Sequence, residues 1–264
     1  MNRERYLQAI KEFRLMDDTF MSAVFDGNIE GTQLVLSIIL NRADIVVTQV
    51  TAQREYKNLI DRSIRLDILA RDSSGKEYDI EVQRSKDGSD CRRARYHSSM
   101  MDTRMLRKGQ DFSEIRDSYV IFITEKDPLG MGLPIYHIER TVLETGTPLG
   151  DGTHIIYVNG SDEDSESALG KLMHDFKCRT ADEMNYGVLA EKVDFFKNYE
   201  GGQDTVCEIM ERLNKEASEE AVYAKCKENA IKMIEDGKLS YDDIAKYSGL
   251  SLEEVRALAE GKPA

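Results

Sequence analysis

Two carboxylates, Asp67 and Glu81, lie in neighbouring stretches of the sequence that have the pattern of a β-hairpin. Residues 65–71 and 77–83 alternate polar with apolar side chains, which is the pattern of a strand with one buried face. The residues between them, 72–76, include aspartate, serine and glycine, all of which favour turns. The pattern therefore predicts two antiparallel strands whose polar face carries both carboxylates.

The register of this hairpin decides what the two carboxylates can do. A turn centred on Ser74 places Asp67 opposite Glu81 and Arg65 opposite Gln83. Directly opposed side chains have Cβ atoms about 5 Å apart, and like charges at that distance are destabilising. A divalent cation such as Mg²⁺ would offset the repulsion, because it binds carboxylate oxygens. In the alternative, the register is shifted and both carboxylates are solvated.

The composition is that of a soluble globular protein, with 41% hydrophobic and 32% charged residues in a chain of 264. We expect no membrane span, because no stretch approaches the roughly 20 apolar residues that one requires. The first residues are polar and do not resemble a signal sequence, so we expect a cytoplasmic protein. The four cysteines and four histidines lack the spacing of zinc ligands or of a disulfide framework.

Charge is distributed unevenly along the chain. The net charge of −13 argues against a protein that coats nucleic acid without specificity. Residues 84–108, however, contain eight basic and three acidic side chains and directly follow the hairpin. The chain is therefore acidic overall but has a positively charged segment directly after the two carboxylates.

The order of the predicted elements indicates an α/β fold. We predict helices over residues 3–16, 17–25, 30–41 and 91–107, and strands over 45–51, 65–71, 77–83, 119–123, 134–138 and 154–158. Residues 53–60 are predicted as a strand or as an irregular segment. A hairpin followed by a helix and a strand places the 119–123 strand beside the hairpin and lays the basic helix over one face. The fold class is therefore α/β, with a mixed central sheet flanked by helices.

From residue 166 the pattern becomes helical with charged faces, and we predict helices over 168–176, 188–198 and 206–235. These helices form a satellite of the core or an oligomerisation surface, which would allow a homodimer. Residues 241–259 have the pattern of a helix-turn-helix, but its second helix is acidic, so packing or dimer formation is favoured over DNA reading. We divide the chain into a core over 1–165, a helical extension over 166–235 and a helix-turn-helix-like segment over 236–264.

Taken together, these stretches resemble the PD-(D/E)XK nuclease superfamily, and in particular its transposase-related, recombination-promoting branch. The resemblance covers residues from about 1 to 215. It is carried by Asp17-Asp18-Thr19-Phe20, Arg65-Leu66-Asp67-Ile68, Gly75-x-x-Tyr78-x-Ile80-Glu81-Val82-Gln83, Tyr119-Val120-Ile121-Phe122-Ile123 and Ile155-Ile156-Tyr157-Val158-Asn159-Gly160. It implies a restriction-endonuclease-like core with a helical C-terminal region.

The resemblance also implies a metal-dependent endonuclease that hydrolyses phosphodiester bonds of DNA and is associated with recombination or mobile elements. It makes Asp67 and Glu81 the ligands of Mg²⁺, or of Mn²⁺. Gln83 lies where many members of the superfamily carry lysine, and Glu30 resembles a catalytic glutamate of the first core helix. Arg65 would restore the missing positive charge near the catalytic site, or would instead pair at the surface with one of the two carboxylates.

The basic segment would supply contacts with DNA phosphates, from Arg92, Arg93, Arg95, Arg104 and Lys108. The alternative is a solvated helix face. Asp79 is expected to be solvated or to pair with Arg71, and not to bind metal. Two other functions fit the same residues: a catalytically inactive nuclease-fold module that binds DNA or protein, and a transposase proper.

Overall fold

The computed structural model describes residues 2–56, 63–84, 89–162 and 164–261. The chain forms two compact units, one ending at Cys207 and the other beginning at Glu208. The first unit contains the whole sheet and the hairpin, and therefore all of the residues predicted to do chemistry.

Six strands form the central sheet in the order β1-β2-β3-β4-β8-β5. They are β1 (Val47–Tyr56), β2 (Ile64–Asp72), β3 (Glu77–Gln83), β4 (Ser118–Thr124), β5 (Ile135–Ile138) and β8 (Thr153–Asn159), and the short β6 (Thr141–Val142) and β7 (Thr147–Pro148) pair separately. β3, β4 and β8 are parallel, whereas β1, β2 and β5 join by antiparallel pairing. The predicted mixed sheet is therefore confirmed. Of the segment 53–60, residues 53–56 belong to β1 and the rest lies outside the described residues.

Nine helices are described: α1 (Asn2–Glu12), α2 (Asp18–Phe25), α3 (Ile29–Ile39), α4 (Cys91–Met105), α5 (Ala168–Lys177), α6 (Gly187–Asn198), α7 (Glu200–Asp236), α8 (Tyr241–Ser248) and α9 (Leu252–Ala259). α4 lies against the sheet, where its Ala94 and Met101 are buried against Val120 and Phe122 of β4. The prediction that the basic helix covers one face of the sheet is confirmed. α2 and α3 contact β1.

The register of the hairpin is the predicted one. Ile68 pairs with Ile80, and Ala70 pairs with Tyr78. The same register, continued by one residue, places Asp67 beside Glu81.

The alternative in which the register is shifted and both carboxylates are solvated is wrong. Asp79 and Glu81 are fully buried and Asp67 is 8% exposed. The physical reason is that β3 lies between β2 and β4 and that Arg93 and His97 of α4 contact Glu81 and Asp79. Polar side chains on a central strand become buried when a helix packs over that face of the sheet.

The turn of the hairpin is organised by Asp72. Its Oδ1 accepts hydrogen bonds from the backbone N–H of Ser74 at 2.8 Å and of Lys76 at 3.0 Å, and its Oδ2 accepts from Tyr78 Oη at 2.8 Å. Gly75 has a φ of +84°, a conformation that glycine adopts without steric cost. The turn therefore follows from the residue types predicted to form it.

The second unit contains α8 and α9, the two short helices predicted over 241–259. Its hydrophobic core includes Ala230, Ile244, Leu250 and Val255. Gly249, with a φ of +79°, ends α8. Among the residues that the structure describes, no helix is long and apolar enough to cross a membrane.

Candidate active site

The hairpin brings Asp67 and Glu81 together. The backbone N–H of Asp67 donates to Glu81 Oε1 at 3.0 Å, and the backbone N–H of Val82 donates to Asp67 Oδ2 at 3.1 Å. Each carboxylate thus accepts a hydrogen bond from the backbone of the opposite strand. The two acids are held side by side where the described β2–β3 pairs end at Ile68 and Ile80.

A local distortion of β1 accompanies the placement of Asp67. Gln53 lies between the pairs Ala52↔Ile68 and Arg54↔Leu66, and is therefore opposite Asp67. Its φ of +52° is uncommon for a residue other than glycine, and such strained positions often occur at functional sites. Nothing in the sequence pattern indicates this distortion.

Gln53 also links this distortion to the start of α2. Its Nε2 donates to Asp18 Oδ1 and to Ser22 Oγ, both at 2.8 Å. The first turn of α2 is therefore fixed beside the strand residue that faces Asp67.

The electrostatics of the acidic group favour a bound cation. Burial raises the pKa of Asp67 well above its usual value, and the negative charges of Glu81 and Asp18 raise it further. Burial also raises the pKa of Glu81 to about 8, with a further contribution from the charge of Asp79. A divalent cation would reverse both shifts, since an opposite charge within a few Å favours the ionised form. The carboxylate oxygens are also the ligands that Mg²⁺ prefers, so the residues present fit this ion.

A cation of the protein itself reaches Glu81 from α4. An Arg93 guanidinium nitrogen donates to Glu81 Oε2 at 2.7 Å, while the carboxylate is fully buried. The Arg93 guanidinium also lies 5.8 Å from the centre of the Phe122 ring. The sequence predicts that Arg93 contacts DNA phosphate, whereas in the structure its guanidinium contacts the Glu81 carboxylate.

Asp79 and His97 form a buried pair behind Glu81. Their hydrogen bond, between Asp79 Oδ2 and His97 Nδ1, is 2.9 Å long, and His97 Nδ1 lies 3.7 Å from Glu81 Oε1. Arg93 Nε donates to His97 Nε2 at 3.4 Å, and since Nε2 accepts, the ring proton is on Nδ1. The expectation that Asp79 is solvated or paired with Arg71 is wrong.

The reason for this error is that Arg71 forms an ion pair with Glu77 on the same side of the hairpin, nearer the turn. Asp79 lies further from the turn, under α4. The sequence did contain a signal for His97, the partner of Asp79. Arg93 and His97 are four residues apart and therefore share one face of a helix. Burial raises the pKa of Asp79, and the charge of Asp67 adds to this shift.

Two groups of potential metal ligands are found among the described residues. Asp79, Glu81 and His97 offer ligand atoms within 4.8 Å of one another. The other group is His174, Asp175 and Cys178, at the end of α5.

The Asp175 carboxylate of the second group is already used to hold the chain. It accepts hydrogen bonds from the backbone N–H groups of Asn185 at 2.7 Å and Tyr186 at 2.9 Å. We therefore assign that group a structural role.

The other predicted catalytic residues are placed as follows. Gln83 is half-buried at the end of β3, next to Thr124 of β4. Arg65 is half-buried and lies opposite Glu55 of β1. Glu30 is exposed in the first turn of α3.

Besides Glu81, the charge of Asp18 at the start of α2 raises the pKa of Asp67. Sequence reasoning assigned an upstream acidic role to Glu30 and did not single out Asp18. Helical spacing could not discriminate between them, because both lie in the first turn of a helix.

The remaining predicted DNA contacts are exposed basic side chains on α4 or just beyond it: Arg92, Arg95, Arg104 and Lys108. The Arg104 guanidinium lies 5.6 Å from the centre of the Tyr56 ring.

Comparison with known families adds an independent finding. The family model of the PD-(D/E)XK nuclease family transposases matches residues 34–166, which is half of the chain. This range includes the hairpin, α4 and the rest of the central sheet. Comparisons with curated proteins and with solved structures gave no match. The chain therefore belongs to the PD-(D/E)XK nuclease family transposases.

Proposed function

We propose that this chain is a metal-dependent DNA endonuclease, with Mg²⁺ as the expected ion and Mn²⁺ as the alternative, that acts in recombination or on mobile elements. The observation that carries the proposal is the buried pair Asp67 and Glu81, held by reciprocal hydrogen bonds to the opposite strand. Membership of a nuclease family supports the reaction class.

Asp67 and Glu81 are the residues that would hold the ion. When bound, such an ion lowers the pKa of a water molecule and offsets charge on the phosphate oxygens. Burial keeps bulk water away from the two carboxylates, which strengthens their attraction for a cation. The hydrogen bonds from Asp67 N–H and Val82 N–H fix the direction of the carboxylate oxygens before the substrate arrives.

Arg93 and Gln83 complete the site in this proposal. Arg93 orients the Glu81 carboxylate and supplies a positive charge beside it. The neutral side chain of Gln83 cannot supply this charge. Gln83 follows Glu81 by two residues on β3 and so projects from the same face of the strand. Its amide can orient the nucleophilic water or donate to a phosphate oxygen.

The exposed basic side chains of α4 would hold the DNA backbone. Arg92 and Arg95 are exposed on the helix that also carries Arg93. Phosphate contacts from such side chains position a duplex without reading its sequence. In a chain of net charge −13, this segment is the region that attracts a polyanion.

The experiment is a plasmid-nicking assay with wild type, Asp67→Asn and Glu81→Gln. We expect Mg²⁺-dependent nicking to fall at least ~100-fold in both variants, because each loses a metal ligand. Both should remain folded in thermal melting, since each substitution removes a charge from a repulsive buried pair.

Glu191→Gln, which changes an exposed carboxylate on α6, is the matched control and should nick like wild type. Equal nicking by wild type, Asp67→Asn and Glu81→Gln would contradict the proposal.

A second candidate function is a catalytically inactive nuclease-fold module that binds DNA or protein. Gln83 favours it, because a neutral amide replaces the lysine of many superfamily members. Calorimetry with Mn²⁺ separates the two candidates: the endonuclease takes up the ion and loses this uptake in Asp67→Asn. DNA binding without any ion uptake would favour the inactive module.

A further inference from the structure

A second site lies on the same side of the sheet as the carboxylates. It is a cavity of about 360 Å³ between α4 and the strands β5 and β8. Its apolar wall is formed by Leu129, Ile138, Ile155 and the ring of Tyr157. Cavities of this size are typical of small-ligand sites, in which a few polar groups are set into an apolar lining.

Two of the lining side chains carry hydroxyl groups without a partner. Tyr157 and Ser98 are 2% and 3% exposed, and neither Tyr157 Oη nor Ser98 Oγ has a hydrogen-bond partner among the described residues. Most buried hydroxyls in proteins are hydrogen-bonded, because an unpaired one loses its interactions with water. Burial raises the pKa of Tyr157 to about 12, so its phenol remains a donor at neutral pH.

The rim of the cavity is positively charged. Among the described residues that line it are Arg92, Arg95 and Arg140, and one acid, Glu139. Arg140 is paired with Asp151 at 2.5 Å. The ion pairs found among the described residues do not include Arg92 or Arg95, so these two side chains carry the excess charge.

The cavity is close to the carboxylate pair. Glu81 is adjacent to Phe122 in the β3–β4 register, and Phe122 is adjacent to Tyr157 in the β4–β8 register. Neighbouring strands are about 4.8 Å apart, so the Cα atoms of Glu81 and Tyr157 are separated by about 10 Å. The rings of Phe122 and Tyr157 are stacked at 5.5 Å between the two sites.

We propose that this cavity binds one unstacked nucleotide of the DNA strand that is cut at Asp67 and Glu81. The apolar wall accepts the flat base, the Tyr157 and Ser98 hydroxyls bond to its polar edge, and Arg92 and Arg95 hold its phosphate. Enzymes that bind extruded or single-stranded nucleotides combine these same elements. The inference rests on the proposed action on DNA, and it adds a preference for a strand with an accessible base near the cut.

The test measures binding by the whole chain with divalent metal chelated, so that no cleavage occurs. The probes are a labelled oligothymidine and a strand of the same length whose central residues are abasic. Wild type should bind the oligothymidine more tightly. Tyr157→Phe and Ser98→Ala should each reduce this preference about three- to ten-fold, the effect expected for the loss of one hydrogen bond.

The control is Tyr119→Phe, which removes a hydroxyl from the neighbouring strand, where Tyr119 aligns with Tyr78 and His154 rather than with Glu81. It should retain the wild-type preference. Tyr157→Phe should melt at or above the wild-type temperature, because the lost hydroxyl has no partner among the residues that the structure describes. An equal preference in wild type, Tyr157→Phe and Ser98→Ala would overturn the inference.

Thymidine 5′-monophosphate distinguishes a DNA strand from a free nucleotide as the source of the base. We expect it to bind more weakly than the oligothymidine, and equal or tighter binding would overturn the assignment to DNA. The nuclease proposal can fail separately: a Tyr157-dependent preference for bases without nicking would leave this site standing. Nicking that needs Asp67 and Glu81, with no effect of Tyr157→Phe or Ser98→Ala, would remove this site alone.

Discussion

The charged or titratable neighbours of Glu81 include Asp79 on its own strand, Asp67 across the hairpin, and Arg93 and His97 from α4. Asp67 and Glu81 would bind a shared cation together, whereas Arg93 competes with the cation for Glu81. The balance between these contacts determines both the affinity for a metal and the charge that remains for the phosphate.

Arg93→Gln separates these two effects. We expect it to bind Mn²⁺ at least as tightly as wild type, because Glu81 loses a competing cation. Nicking should nevertheless fall at least ~10-fold, because the site loses its positive charge near the phosphate. Calorimetry and single-turnover nicking measure the two quantities.

Arg93→Lys keeps the charge and should recover part of the nicking rate. Lys215→Gln, on the exposed surface of α7, is the control. Unchanged nicking by Arg93→Gln would show that Arg93 has no part in the reaction.

Asp18 and Glu30 offer a second test at the residue scale. Asp18→Asn removes a negative charge that raises the pKa of Asp67, so we expect Mn²⁺ affinity to fall about three- to ten-fold. Glu30→Gln should bind Mn²⁺ as wild type does. Calorimetric titration of both variants with Mn²⁺ shows which of the two acids contributes to ion binding. Weaker binding by Glu30→Gln than by Asp18→Asn would support the role first predicted for Glu30.

Among the elements, α4 has the largest influence on the site, because its faces serve different purposes. Arg93 and His97 project toward β3, while Arg92 and Arg95 border the cavity beside β8. A helix that covers a parallel sheet can in this way supply charged groups to two neighbouring sites.

The turn of the hairpin is a second element with a measurable contribution. Burial raises the pKa of Asp72, but the hydrogen bonds from Ser74, Tyr78 and Lys76 outweigh it and hold the pKa below its usual value. The ionised form therefore stabilises the fold above the ordinary pKa of an aspartate, and this contribution is lost as the pH falls through the lowered value.

We expect Asp72→Asn to be less stable than wild type by about 2 kcal/mol at pH 7, since hydrogen bonds to a charged acceptor are lost. The difference should shrink below a pH of about 4. Urea unfolding of both proteins at neutral and acid pH measures it. A difference that is the same at both pH values would mean that the charge of Asp72 does not stabilise the turn.

In the first unit, Lys197 joins parts of the chain that are distant in sequence. Its Nζ donates to the backbone oxygens of Lys11 at 3.0 Å, Phe13 at 2.5 Å and Arg179 at 2.5 Å. The same atom lies 5.3 Å from the centre of the Phe20 ring. One buried ammonium group thus holds the end of α1 and the segment after α5 against α6.

Lys197→Met should lower the free energy of unfolding by about 3 kcal/mol, because three carbonyl groups lose their donor. Lys192→Met, an exposed position on the same helix, should leave it within about 0.5 kcal/mol of wild type. Urea unfolding is the measurement. Equal stability of the two variants would show that solvent replaces the ammonium at no cost.

The sequence by itself determined the features that arise from local rules. Alternation and turn residues predicted the register that brings Asp67 to Glu81, and the order of elements predicted a mixed sheet with β4 beside the hairpin. These predictions succeed because strand period and turn chemistry act over a few residues.

Only the tertiary structure decided what lies over the polar side of the hairpin. Alternation predicts that Asp79 and Glu81 share a face, but the burial of that face depends on α4, which packs there from later in the chain. The same packing pairs Arg93 with Glu81 and encloses the cavity beside Tyr157. Contacts between residues of distant elements depend on how whole elements pack, and a periodic pattern contains no information about that packing.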